Sequence, residues 1–321
     1  MSSKPAAVFL DFATVGPGID TARLDALVDV EYHDFSSASE VAARLEGMEI
    51  VLLNKAPLRR ESIEAAAKLK LIVLTATGCD NVDTAAARDK GIAVANVREY
   101  CSSALAQHVF ALILGLTQKV GPYDMLVRSG AWTRSKSFAL FDYPIRELSG
   151  RKLGIVGYGT LGQAVGRIGE SLGMELLISQ RPGEDGPPPA GRLPLATVIA
   201  EADVLTLHCP LTEATRHLLD AAAFRRMKRD AIVINTARGA LIDQQALADA
   251  LRTGKIGGAG IDVLPLEPPP ADQPLLRRDI PNLILTPHIA WAAKEARQRA
   301  IDQVAENIEA WMAGREIRRI V

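Results

Sequence analysis

The stretch Lys152-Leu153-Gly154-Ile155-Val156-Gly157-Tyr158-Gly159-Thr160-Leu161-Gly162 decides the fold. Its first five residues read as a buried strand, and the QAVGRIGESLG that follows reads as a helix. A G-x-G-x-x-G spacing alone is a weak signal, but between a strand and a helix it predicts a dinucleotide site. Gly157 then permits the tight turn, Gly159 lets the backbone approach a pyrophosphate, and Gly162 lets helix and strand pack closely. The helix start supplies unpaired N–H groups and the positive end of its dipole.

Outward from this turn, apolar runs of strand length alternate with helical stretches, the pattern of parallel α/β folding. A first set covers Val8 to Phe12, Val30 to Tyr32, Ile50 to Asn54, Leu71 to Thr75 and Ala93 to Asn96. A second starts at Leu153 and continues through Leu176 to Ser179, Val204 to His208, Ile232 to Asn235, Ala259 to Val263 and Leu283 to Thr286. Two sets in 321 residues predict two doubly wound parallel-sheet domains of the α/β class. Helical stretches from Ser102 to Ser129 and from Ala292 to Ala313 are expected to bridge them. RPGEDGPPPAGR, residues 181–192, is too rich in proline and glycine for helix or central strand, and is expected to be a surface loop at the adenosine end of the site.

Charge and composition exclude several classes. With 37 Lys+Arg against 38 Asp+Glu the net charge is −1, which gives no general attraction to nucleic acid or anionic lipid. Three cysteines, Cys79, Cys101 and Cys209, lack metal-ligand spacing and predict reduced thiols with neither disulfide nor zinc. The apolar run in MSSKPAAVFLDFA is too short for a signal segment or membrane span and reads as a first strand, so a cytoplasmic protein is expected.

Three of the second-set strands end on chemistry. AIVIN leads into Thr236-Ala237-Arg238-Gly239, GAGIDV into Leu264-Pro265-Leu266-Glu267-Pro268, and NLILT into Pro287-His288-Ile289-Ala290-Trp291. In open parallel sheets ligands bind beyond the carboxyl ends of strands, so Arg238, Glu267 and His288 are aimed at a ligand. Arg238 keeps its charge and offers a planar fork of donors suited to a carboxylate and a carbonyl. His288 can give and take a proton near neutral pH, and Glu267, if bonded to it, favours the protonated ring and holds one orientation. Such a set can stabilise negative charge that grows on an oxygen and deliver a proton to it.

The chain resembles the D-isomer-specific 2-hydroxyacid dehydrogenase family almost end to end. The matching motifs are Gly78-Cys79-Asp80-Asn81-Val82-Asp83, the GYGTLG turn, His208-Cys209-Pro210-Leu211-Thr212, NTARG, DVLPLEP and PHIAW. Ala106-Gln107-His108, WTRSKSF from Trp132 to Phe138, and His288-Ile289-Ala290-Trp291 look most like the glycerate dehydrogenase or hydroxypyruvate reductase branch. The resemblance implies a Rossmann cofactor domain at 99–288 and a smaller, discontinuous, flavodoxin-like substrate domain at 1–98 and 289–321. It also implies a cleft between them, hinges near Val97 to Cys101 and Thr286 to Trp291, and a homodimer formed through the cofactor domain. Ala104 to Leu116 and Trp132 to Phe138 are the candidate interface elements. Arg238, Glu267 and His288 would be catalytic; His108 and His208 are not assigned the proton. Thr77 and Gly78 would receive the substrate carboxylate, with Asn54, Lys55 and Trp291 as further candidates.

The residues expected to line the cofactor are Gly157, Tyr158, Gly159, Thr160, Leu161, Gly162, Gln180, Arg181, His208, Cys209, Pro210, Thr215, Thr236, Ala237, Arg238, Asp262 and His288. The residue after the second Rossmann strand selects the nucleotide, because an acid there binds the ribose hydroxyls and repels a 2′-phosphate. Gln180 followed by Arg181 occupies that place, which favours NADP(H), with NAD(H) the alternative. The expected reaction is reduction of hydroxypyruvate to D-glycerate, and of glyoxylate to glycolate. The competing readings are another D-2-hydroxyacid dehydrogenase, such as a short-form phosphoglycerate dehydrogenase, and a nonenzymatic dinucleotide-sensing protein like the corepressors of this fold.

Overall fold

The computed structural model describes residues 4–184 and 186–321, so that of the proline-rich loop only Asp185 lies outside the described residues. The chain divides into two compact units, residues 1–101 with 292–321, and residues 102–291.

The first unit holds five strands, β1 (Ala6–Phe9), β2 (Asp29–Tyr32), β3 (Ile50–Leu53), β4 (Leu71–Leu74) and β5 (Ala93–Ala95). They form one parallel sheet in the order β2-β1-β3-β4-β5. β3 and β4 are buried along their whole length, as strands covered on both faces must be, and they read as continuous Ile/Val/Leu runs for that reason. The outer edge at β5 meets the chain terminus: Ile320 N–H donates to Val94 O (2.7 Å) and Asn96 N–H to Arg318 O (3.2 Å). The helix Lys294–Met312 precedes that return and belongs to this unit.

β1 stops at Phe9, short of the predicted Phe12, because Phe12–Val15 turns into a 3-10 helix. The buried Asp11 at this bend has a structural duty. Its carboxylate accepts the backbone N–H groups of Asn54 (2.8 Å), Lys55 (2.5 Å) and Ala56 (2.7 Å), which tie the loop after β3 to the end of β1.

The second unit carries β6 (Lys152–Val156), β7 (Glu175–Ile178), β8 (Val204–Leu207), β9 (Ile232–Asn235), β10 (Gly258–Ile261) and β11 (Leu283–Leu285). All pair in parallel, in the order β11-β10-β9-β8-β6-β7. Beyond β7 a further strand is reduced to a single parallel bridge between Ser179 and Leu193. The order of strands therefore reverses at β6 and β8, which places a crevice at their carboxyl ends. Alternate residues serve two cores: Ile232 and Ile234 of β9 pack with Leu105, Val109 and Ile113, whereas Val233 packs with Leu205, Leu247 and Ala259.

The long helix predicted from Ser102 to Ser129 is broken. Ser102–Gln118 and Val120–Arg128 are separate helices, with Lys119 between them in the left-handed region at φ 54°. Pro122 explains the break, since a proline in a continuous helix would lack its N–H bond and clash with the carbonyl four residues earlier.

Asp11→Ala leaves three backbone donors without their acceptor, two of them on buried residues. It is expected to lower stability by about 2 to 4 kcal/mol, read as a fall in urea midpoint without a change in slope.

Candidate active site and dinucleotide cradle

At the reversal point, Gly157 has φ 92°, and a Cβ there would lie 2.6 Å from Cys209 N and from His208 C. Only glycine lets the turn after β6 press against the chain leaving β8. At Gly162 a Cβ would come within 2.2 Å of Gly157 O, so the helix Thr160–Ser171 sits directly on the turn. Gly159 is different: nothing lies within 4 Å of a Cβ built on it. Among the described residues the space there is open, and the helix starts on this glycine, which has no side chain to cap it.

A cavity of about 660 Å³ extends from here, bordered by the glycine turn, Ser179 to Pro182, Arg192 and the 208–215 loop. Among the described residues two buried polar atoms near these strand ends have no hydrogen-bond partner, Gln180 Oε1 after β7 and Thr236 Oγ1 after β9. Open backbone at Gly159, a twelve-residue helix that starts on a glycine and these two atoms fit a dinucleotide.

His208 projects from the end of β8 with Nε2 3.0 Å from Thr206 Oγ1. Burial pushes its pKa down to about 4, so the ring is neutral at working pH and is no source of a proton. Burial likewise pushes the Cys209 thiol up to about 11, which removes it as a nucleophile. Thr215 folds inward, with its hydroxyl donating to Pro210 O (2.8 Å) and accepting from Thr212 N–H (2.7 Å), so it shapes the loop.

Arg238 stands just beyond β9. The buried Asn235 fixes this bend by donating from Nδ2 to Arg238 O (2.9 Å) and accepting from Ala237 N–H (3.0 Å). Gly239 follows, and a Cβ there would lie 2.0 Å from Leu264 C and 2.3 Å from Pro265 N. The arginine loop thus rests backbone to backbone on the loop that leads to Glu267. Glu267 is in turn bonded at both oxygens, accepting from Leu264 N–H (2.8 Å) at Oε1 and meeting His288 Nδ1 at 2.5 Å through Oε2.

His288 adopts φ 55°, costly for a non-glycine residue and sustained only where the surroundings impose it. Here Asp262 imposes it. Its backbone carbonyl accepts His288 N–H (2.8 Å), and its carboxylate accepts Thr286 Oγ1 (2.6 Å), Ile289 N–H (2.9 Å) and Ala290 N–H (2.9 Å). Burial pushes this carboxyl up, but bonds from His108, Thr286 and the two backbone donors outweigh it and hold the group below its ordinary range. Asp262, expected from sequence to line the cofactor, uses both of its oxygens to hold the histidine loop. Trp291 Nε1 donates to His288 O (2.9 Å), a brace on the same bend. Among the described residues His288 Nε2 has no partner, and the ring is partly exposed. His108 Nε2 lies 3.0 Å from Thr286 Oγ1 and 3.5 Å from Asp262 Oδ1, so it joins the group of bonds around the histidine loop.

In the first unit, Thr77 Oγ1 donates to Val97 O (2.9 Å) and Thr77 O accepts Asn96 Nδ2 (2.7 Å). These bonds hold a loop in which the N–H groups of Thr77 and Gly78 donate to nothing among the described residues. Asn54 is buried with its amide on Thr14 Oγ1 (3.0 Å), an internal role that its strand-end position did not reveal. Lys55 is exposed beside it. Sequence reasoning also passed over Asn235 and Arg192, the first hidden inside a strand signal and the second in a loop. Among the described residues no group of three His, Cys, Asp or Glu could hold a metal, and no helix is long and apolar enough to cross a membrane.

Comparison with known proteins agrees with this geometry. Residues 110–290 match the family model described as D-isomer specific 2-hydroxyacid dehydrogenase, NAD binding domain. The chain is 44% identical over 305 residues to the glycerate dehydrogenase of Methylorubrum extorquens, covering 92% of this chain and 96% of that one. It is 37% identical to the hydroxypyruvate reductase of Blautia hydrogenotrophica, over 96% of this chain and 97% of that one. The TT0316 protein of Thermus thermophilus superposes with a TM-score of 0.87 at 34% identity, covering 98% of this chain and 100% of that structure. The chain therefore belongs to the D-isomer-specific 2-hydroxyacid dehydrogenase family, oxidoreductases that use a nicotinamide dinucleotide. Within that family it falls in the glycerate dehydrogenase branch.

His208 generates a pH prediction. Its folded value of about 4 lies below the ordinary histidine value of about 6.5, so the unfolded chain binds the proton first. The stability that this group contributes is complete above pH ~6.5 and is lost as pH falls towards ~4. His208→Asn is expected to flatten the decline in Tm between these values, measured by calorimetry across the range.

Proposed function

We propose that this protein reduces hydroxypyruvate to D-glycerate, and glyoxylate to glycolate, with NADPH preferred over NADH and His288 as the proton donor. The observation that carries the reading is the His288–Glu267 pair, in which Nδ1 is held at 2.5 Å and Nε2 has no partner among the described residues. The reduced nicotinamide, when bound, supplies the hydride to the keto carbon. His288 Nε2 delivers the proton that turns the keto oxygen into the hydroxyl, and in the reverse direction it takes that proton back. Glu267 fixes the tautomer with hydrogen on Nδ1 and offsets the charge of the ring when Nε2 is protonated. Arg238 holds the substrate carboxylate and carbonyl oxygen with its planar donors and stabilises the negative charge that grows there. Its bend, locked by Asn235 and Gly239, limits how far the guanidinium can stray.

The choice of hydroxypyruvate and D-glycerate follows the two enzymes named above, and glyoxylate is the smaller 2-keto acid of the same chemistry. The preference for NADPH is supported by the neutral Gln180 after β7 and by two arginines, Arg181 and Arg192, at the border of the cavity. A dimer is the proposed assembly, supported by an exposed apolar segment in the second unit. Phe138 and Phe141 are 89% and 85% exposed, and Trp132, which donates from Nε1 to Phe138 O (3.0 Å), is exposed too. Large apolar side chains exposed together in one short segment are unusual on a free surface. Of the two candidate interface elements, the helix from Ala104 to Leu116 buries most of its apolar side chains within its own unit, which leaves the 132–141 segment as the better one.

His288→Ala is expected to lower kcat for hydroxypyruvate by about 10² to 10⁴, with dinucleotide affinity within about twofold of the parent. Initial rates at 340 nm with hydroxypyruvate, glyoxylate, pyruvate and 3-phosphohydroxypyruvate check this, and unchanged turnover would remove His288 from the proton step. Light scattering is expected to give twice the chain mass, and Phe138→Ser with Phe141→Ser to shift it towards the single chain; a parent protein that is monomeric at every concentration contradicts the dimer.

A further inference from the structure

We infer that Arg192, not Arg181, is the cation that recognises a 2′-phosphate on the adenosine ribose; the inference rests on the NADPH reading above. The two arginines border the same cavity but are held very differently. Arg181 begins the proline-rich loop, is 80% exposed, and is paired with Glu184 at 3.3 Å. An anion arriving there must compete with a carboxylate already in place and order a solvated side chain.

Arg192 stands at the other end of the loop, where the chain rejoins the sheet. Leu193 N–H donates to Ile178 O (2.8 Å) and Gln180 N–H to Leu193 O (2.8 Å), so the backbone next to Arg192 is laddered to the end of β7. Its guanidinium donates from Nη1 to Ser179 O (3.3 Å) and lies over the Tyr158 ring, with Cζ 5.1 Å from the ring centroid. Tyr158 belongs to the glycine turn, so the cation is tied to both walls of the cavity. Among the described residues it has no acidic partner, and most of its N–H donors have no protein acceptor. The carboxyl end of the second Rossmann strand is where the adenosine ribose is selected, and the side chain bonded to that strand end is Arg192. A planar fork fixed in advance by stacking and a backbone bond suits a phosphomonoester better than a mobile one.

The test is calorimetry on the nucleotide-free protein with adenosine 2′,5′-bisphosphate and with AMP. The parent is expected to bind the bisphosphate more tightly. Arg192→Met is expected to weaken the bisphosphate by about tenfold or more and to leave AMP within about twofold, whereas Arg181→Met changes the bisphosphate by less than about threefold. Arg192→Lys, which keeps the charge without the fork, is expected to fall between. If Arg181→Met carries the loss, the assignment to Arg192 fails while the NADPH reading stands. Equal losses on both ligands in Arg192→Met would make the residue part of a general adenosine wall and overturn the inference. A parent that binds both ligands equally removes the NADPH reading itself. Far-UV circular dichroism and Tm of each variant show whether the fold is kept.

Discussion

The buried carboxylate of Asp262 is the constraint on which the site depends. It collects two backbone N–H groups and one hydroxyl from the segment after β11, while its own carbonyl takes the N–H of His288. Those bonds, with the brace from Trp291, hold a histidine in the left-handed region and set the relation of its ring to Glu267. Asp11 does the same work in the first unit, where it gathers three backbone N–H groups after β3. In both cases an aspartate just past the end of one strand secures the loop after the strand beside it. Parallel sheets aim their loops at ligands, but they provide no ladder for those loops, and a buried acid supplies one.

Glycine contributes the complementary device. Gly157 lets the cofactor turn touch the chain leaving β8, and Gly239 lets the arginine loop touch the loop that carries Glu267. Each is a backbone-to-backbone contact that one methyl group would abolish. The three strand ends that carry Arg238, Glu267 and His288 therefore form a linked set: Asn235 shapes the first, Gly239 presses it on the second, and Glu267 reaches the third.

Much of this is legible in the sequence, for physical reasons. Strands buried on both faces are forced to be continuous apolar runs, so β3, β4 and β9 stand out, and strand-end chemistry stands out beside them. What sequence conceals is the partner of each polar group. Asp262 and Asn54 read as ligand-facing because both end strands, yet their side chains turn inward to hydroxyls and backbone donors. Asn235 hides inside an apolar run, and Arg192 hides in a loop whose proline content suggests no order, because one bridge at Leu193 has no periodicity to read. The break at Lys119 is different: Pro122 was a visible signal, outweighed by the apolar pattern around it.

In the proposed mechanism one atom, His288 Nε2, faces the oxygen of the carbonyl that is reduced. A crystal structure of the protein with dinucleotide and oxamate, a nonreacting mimic of a 2-keto acid, tests this most directly. The expected result is His288 Nε2 at about 3 Å from the amide oxygen of oxamate, which stands in for the keto oxygen, with Nδ1 still on Glu267 and Arg238 on the carboxylate. A ring turned so that Nε2 bonds to the protein, or an oxamate oxygen received by another side chain, would contradict it.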